Sequence, residues 1–143
     1  MSTQNYTGAT TGPPIRGRKA CIVSEGHVGH SVATRLSAIG VPVTLVDPSP
    51  PVDPPPGLQV HEVASLDANA LIDANINEET TVLAVGPEDS MNLFLAQLVR
   101  TRFDVDRIIA RVNDPRRTIA FTDLGIEVVD GPATISQTII DRW

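Results

Sequence analysis

One stretch of the chain carries residue types in an order that could hold a phosphorylated nucleoside. Ser24-Glu25-Gly26-His27-Val28-Gly29 follows the apolar run Ala20-Cys21-Ile22-Val23. It leads into Val28, Val32, Ala33, Leu36 and Ile39, which recur at helical spacing and give one face to lay on a sheet. A strand, a tight glycine turn and a helix in that order aim the free N–H groups of the first helical turn at an anion. Gly26 would let the backbone pass close to a phosphate, and Gly29 would let helix and strand pack tightly. The pattern is S-x-G-x-x-G, which by itself also describes a plain strand-to-helix turn. Asp47 narrows the choice, because it ends the next apolar run, Val43-Thr44-Leu45-Val46, roughly 20 residues beyond the glycines. A carboxylate there accepts hydrogen bonds from both ribose hydroxyls and repels a 2′-phosphate, favouring NAD or another plain adenosine nucleotide over NADP. The plainer reading of Asp47 is a strand-end residue opening a turn before Pro48.

Other reactive side chains add little chemistry. His27, His30 and His61 lack metal-ligand spacing, so no metal site is expected. An imidazole at His27 beside a pyrophosphate would favour its protonated form, so affinity would weaken as pH rises; the alternative is a helix-start histidine facing water. No Tyr-x-x-x-Lys pair and no histidine–carboxylate set is visible, so no catalytic residue is assigned. Tyr6 lies in the N-terminal stretch and Lys19 opens a strand. Cys21, the single cysteine, cannot form an internal disulfide and reads as a small core residue.

A chain of 143 residues is one domain by length. With 41% hydrophobic but only 3% aromatic residues, its core must be built from Val, Ile, Leu and Ala. The formal charge of −6 argues against a nucleic-acid partner. No run reaches the length of a membrane span, and the N-terminus lacks the apolar centre of a signal peptide, so a cytoplasmic location is expected.

The elements follow from patterning. Residues 1–18 are rich in Ser, Thr, Gly, Asn and Pro and are expected to be a disordered tail, with residues 19–143 as the folded domain. Arg16, Arg18 and Lys19 form a small basic cluster before the first strand. The segment from Pro48 to Gly57 is too rich in proline for a helix and should be extended. Leu58 to Val63 is a third strand, so the usual crossover helix before it is missing. Asp67 caps a short helix reaching Asn75, with Ala68, Leu71, Ile72 and Ile76 inward. Strands are expected at Thr80–Val85, Arg107–Val112 and Ile126–Val129. Helices are expected from about Ser90 to Thr101, with Leu95, Leu98 and Val99 inward, from Asn113-Asp114-Pro115 to near Gly125, and from about Ala133 to Trp143. On the last helix, Ile135, Ile139 and Trp143 are either the side that packs on the sheet or a dimer face. Alternating strands and helices predict a doubly wound, parallel six-stranded α/β sheet of order 3-2-1-4-5-6. Its ligand crevice lies between strands one and four.

Asp89-Ser90-Met91-Asn92 entering a helix, and Ile108-Ile109-Ala110-Arg111-Val112-Asn113-Asp114-Pro115 after it, resemble the N-terminal nucleotide-binding domain of potassium-transport regulators. This is the TrkA-N or RCK (regulator of K⁺ conductance) family. The likeness covers roughly residues 19 to 140, and Gly26-His27-Val28-Gly29 also suits the family. It implies a Rossmann-like regulatory domain, not an enzyme, that binds NAD(H), ATP or ADP. It further implies a homodimer or higher ring, and a partner in a membrane K⁺ channel or transporter subunit. Such a domain does not insert in the membrane but can be peripheral to it through the transporter. Carried over by position, Ser24, Gly26, His27, Val28 and Gly29 would hold the phosphates. Asp47 and Pro48 would meet the ribose, and Ser65 and Leu66 the adenine. Val85 and Gly86 would line the crevice, with Asn92 and Arg111 near it. The chain departs from the family at Ser24 and Glu25, at Val63-Ala64-Ser65 where a Gly-Asp is usual, and in its proline-rich crossover. Two other readings stand beside the regulator: an assembly module of this family that binds no nucleotide, and a small NAD-dependent oxidoreductase.

Overall fold

Continuous apolar runs bounded by turns form strands covered on both faces, the mark of a parallel sheet. The computed structural model describes residues 18–143. The expected disordered tail lies outside the described residues except for Arg18, whose guanidinium pairs with Asp106 at 3.0 Å. Six strands, β1 (Lys19–Val23), β2 (Val43–Asp47), β3 (Leu58–Glu62), β4 (Thr80–Ala84), β5 (Arg107–Val112) and β6 (Glu127–Asp130), pair in the order 3-2-1-4-5-6. Every pairing is parallel, and Val23 stands level with Val46 on one side and Ala84 on the other. The helices are α1 (His27–Ala38), α2 (Ala68–Ile72), α3 (Asp89–Arg102), α4 (Thr118–Thr122) and α5 (Gly131–Asp141). No helix among the described residues is long and apolar enough to cross a membrane.

The sheet separates two cores. On one face Ala20, Ile22, Val43, Leu45, Leu83 and Val85 pack with Ala33 of α1. On the other, Cys21, Val23, Val82, Ala84, Ile108 and Ala110 pack with Leu71, Leu95, Val99 and Phe121. Cys21 belongs to the second core, and burial pushes its thiol up to about 12 against the opposing pull of Lys19, so it stays protonated. No helix forms between β2 and β3, as the prolines of residues 48–57 dictate. In consequence none of the five residues of β3 is fully buried.

Several helices differ from expectation at their edges. α2 stops at Ile72, which is exposed instead of inward, and the chain beyond it turns through the left-handed region at Asn75, φ 56°. Ile39, placed on the buried face of α1, sits at its C-terminus and is exposed. The helix expected from Asp114 is a 3-10 turn, Pro115–Arg117, running into α4, with the Asp114 carboxylate accepting from the Arg116 amide. Arg116 also holds that carboxyl low, at about 2. The largest correction is α5. It begins at Gly131 under an Asp130 cap, and none of its residues is buried. Ile135, Ile139 and Trp143 are all exposed, so the side expected to pack on the sheet does not.

The glycine turn rests on one close approach. A Cβ on Gly29 would stand 2.7 Å from Ser24 Oγ and 2.8 Å from Ser24 Cβ, with Ile22 at 3.5 Å. Alanine is the better helix former by about 1 kcal/mol, while overpacking a core costs about 1–3 kcal/mol. Gly29→Ala should therefore destabilise the protein in urea unfolding, whereas the same change in a Ser24→Gly background should stabilise it. An effect of the same sign in both backgrounds would contradict this packing.

Candidate functional site

The C-terminal ends of β1 and β4 diverge into α1 and α3, and of the expected site residues Ser24, Leu66, Gly86 and Asn92 meet at that split. Val28, Val85 and Arg111 line a groove on the α1 side of the sheet, Asp47 and Pro48 stand at the end of β2, and Ser65 is exposed beyond β3. Ser24 is buried at the end of β1, with its hydroxyl donating to the Glu25 carbonyl at 3.3 Å. Gly26 follows at φ 103° and ψ −177°, a conformation essentially confined to glycine. A Cβ on Gly26 would meet nothing within 4 Å, so backbone geometry demands this glycine while the space above the turn stays open. α1 then begins at His27, which is exposed, and no side chain caps it. The first-turn amides of His27, Val28 and Gly29 therefore lack intrahelical partners and carry the positive end of the helix dipole.

Gly86 forms the opposite wall. A Cβ there would stand 3.2 Å from Asn92 Oδ1 and 3.9 Å from Ser24 Oγ. Ser24, Leu66, Gly86 and Asn92 thus meet in a crevice of about 10 Å³, rimmed by Glu25 and Glu88. That is room for one water at most, so any phosphate must lie above the turn, not between the strands. No cation lines this crevice.

Asn92 is held by backbone alone. Its Oδ1 accepts from the Gly86 amide at 2.9 Å, and its Nδ2 donates to the Gly86 and Arg111 carbonyls at 2.9 and 3.0 Å. At 1% exposure its amide clasps the β4–α3 turn to β5. Asp89 makes a second clasp, accepting from the Asn113 and Asp114 amides at 2.6 and 2.8 Å. Asn113 Oδ1 in turn accepts from Arg111 Nε at 2.8 Å, while Arg111 Nη1 donates to the Val85 carbonyl at 3.3 Å. The D-S-M-N and A-R-V-N-D-P segments are thereby stitched together. Arg111, Val85 and Val28 line a separate apolar groove of about 410 Å³ on the α1 side of the sheet, with Ile109, Val129 and Ile135.

At the end of β2 lies Asp47, fully buried. Its Oδ1 accepts from the Ser49 amide at 2.7 Å, beyond the half-buried Pro48, and its Oδ2 lies 2.6 Å from His30 Nε2. A histidine–carboxylate pair thus exists where the sequence shows none. His30 comes from the first turn of α1, 17 residues before its partner, and only the α1–β2 crossover brings the two together. Ser65 is exposed and donates to Asp67 Oδ2 at 2.9 Å. The Ala70 amide first, and the Ser65 hydroxyl second, hold the Asp67 carboxyl below the usual range. Sequence reasoning missed His30, Asp89 and Asn113; polar residues at the first turns of α1 and α3 and at the end of β5 were the available signal.

Comparison with known proteins agrees with this fold. The chain is 31% identical over 128 residues to the Trk system potassium uptake protein TrkA of Mycobacterium tuberculosis, a match covering 87% of this chain and 58% of that protein. The chain therefore spans little more than half the length of that relative. Among solved structures, the NAD(P)-binding domain of an exopolyphosphatase-related protein from Archaeoglobus fulgidus superposes with a TM-score of 0.72 at 25% identity. That match covers 87% of this chain and 97% of the other. The C-terminal domain of Kef from Shewanella denitrificans, solved in its AMP-bound form, shares the fold with a TM-score of 0.71 at 19% identity, covering 85% and 77% of the two chains. Residues 20–132, which include the glycine turn, the buried acid and both clasped segments, match the TrkA-N domain, and the chain belongs to that family.

Proposed function

We propose that this domain is a regulatory subunit that binds an adenine nucleotide, NAD(H) or ATP/ADP, and governs a membrane potassium channel or transporter from its cytoplasmic face. The observation that carries the reading is the uncapped first turn of α1 above Gly26, at the point where β1 and β4 part. Amides there cradle an anion without needing a cationic side chain. Ser24, Gly26, His27, Val28 and Gly29 hold the phosphates; Asp47 and Pro48 meet the ribose. Ser65 and Leu66 border the base, Gly86 lines the crevice and Val85 the groove beside it, while Asn92 and Arg111 brace the backbone of these two residues. The potassium uptake protein that the chain resembles supports the transport role, and the AMP-bound and NAD(P)-binding neighbours support the ligand class. A second reading, an assembly module that binds no nucleotide, draws support from the burial of Asp47 and the acidic rim of Glu25 and Glu88.

The partner we assign to α5 is a second copy of this chain. Ile135 lines the apolar groove, Ile139, Ile140 and Trp143 farther along are exposed as well, and a two-fold exchange would cover helix and groove together.

Calorimetric titration with ADP and with NADH separates the readings. Saturable binding without turnover, weakened about ten-fold or more in Gly26→Val by the strain of its backbone, is the expected result; the absence of binding by the wild-type protein leaves the assembly module. Sedimentation equilibrium should give a dimer that Ile139→Glu dissociates, and a monomer throughout the micromolar range would refute the α5 interface.

A further inference from the structure

Asp47 is the acid a ribose should meet, yet nothing outside the protein can touch it. Its side chain is 0% exposed, and both carboxylate oxygens already accept a short hydrogen bond, one from the Ser49 amide and one at His30 Nε2. The two partners differ in kind. The Ser49 bond is a local turn that anchors Oδ1 whatever else is bound. The His30 bond comes from a side chain that is itself 24% exposed, with solvent on its far side. His30 is therefore the solvent-facing member of the pair, and it offers Asp47 the kind of donor that a ribose hydroxyl would offer.

We infer that His30 is an internal competitor for the nucleoside diol: its imidazole occupies Asp47 in the unliganded protein and must swing aside before a ribose can bind. This rests on the nucleotide reading above and adds what limits it. The residue that sets affinity and ribose selectivity is then His30, not the acid alone. The site discriminates by asking whether a ligand brings hydroxyls able to replace the imidazole on Asp47. A phosphate compound without the diol binds only at the Gly26–Gly29 turn and leaves His30 in place.

The test compares wild type, His30→Ala and His30→Ser, each checked for folding by circular dichroism, in titrations with ADP and with 2′,3′-dideoxy-ADP. Removing the competitor should tighten ADP binding by about ten-fold, the scale of one hydrogen bond to a charged group. It should leave the dideoxy analogue unchanged. Binding by wild type that is unaltered or weaker in both variants overturns the inference and leaves the nucleotide reading intact, since His30 would then be idle or itself a ligand contact. An equal gain for both ligands also overturns it, because the diol would not be what competes. ADP binding by none of the three proteins removes the nucleotide reading and the inference with it. A nucleotide-free check uses NMR of ¹⁵N-histidine-labelled protein. A protected His30 Nε2–H resonance that disappears in Asp47→Asn is expected, and its absence from the wild-type protein overturns the pairing itself.

Discussion

The first turn of α1 rests on the end of β1 at a separation that only glycine permits, with the Cα of Gly29 against the side chain of Ser24. The α1 wall of the site is positioned by that contact. It brings the helix in low enough to send its unpaired amides over the strand end, and it forces Gly26 into a glycine-only conformation to make the bend. A bulkier residue at 29 would lift α1 away from the sheet, and with it His30, whose ring reaches Asp47 only from this seat. The substitution of serine for the family's first glycine is accommodated by the same contact: the Ser24 side chain fills the space under Gly29 and is buried there.

The opposite wall is held by polar groups in place of close packing. Asn92 and Asp89 satisfy five backbone groups of the β4–α3 turn and the β5 end. Leaving such groups unpaired would cost about 1–3 kcal/mol each, so the wall is rigid for a physical reason. Rigidity here complements openness at the α1 turn, where a Cβ on Gly26 would meet nothing within 4 Å. At the sheet's edge, α5 leaves β6 without burying a residue.

Much of this was legible in the sequence because it depends on runs and order. Ala20–Val23 and Val82–Val85 are apolar without alternation, which only strands buried on both faces tolerate, and the glycine turn after the first of them fixes the handed order of the sheet. Pro50, Pro51, Pro54, Pro55 and Pro56 ruled out a crossover helix, and none forms. What was not legible depends on partners far apart in the chain. The spacing of Ile135, Ile139 and Trp143 is the same whether the face is met by its own sheet or by another molecule, so period alone could not place it. Asn92 and Arg111 were recognisable from the segments that contain them, but their bonds to backbone atoms up to 26 residues away were not. His30 was weighed only as a metal ligand, since nothing in the sequence shows which strand end a helix flank will touch.

The central claim is that an adenosine nucleotide lies across the C-terminal edge of the sheet with its phosphates on the α1 turn. A crystal structure of the protein with saturating ADP tests it most directly. The account predicts a diphosphate over the amides of residues 27–29 and a ribose at the end of β2. A structure with the turn empty, or with ADP seated in the apolar groove beside α5, would contradict it.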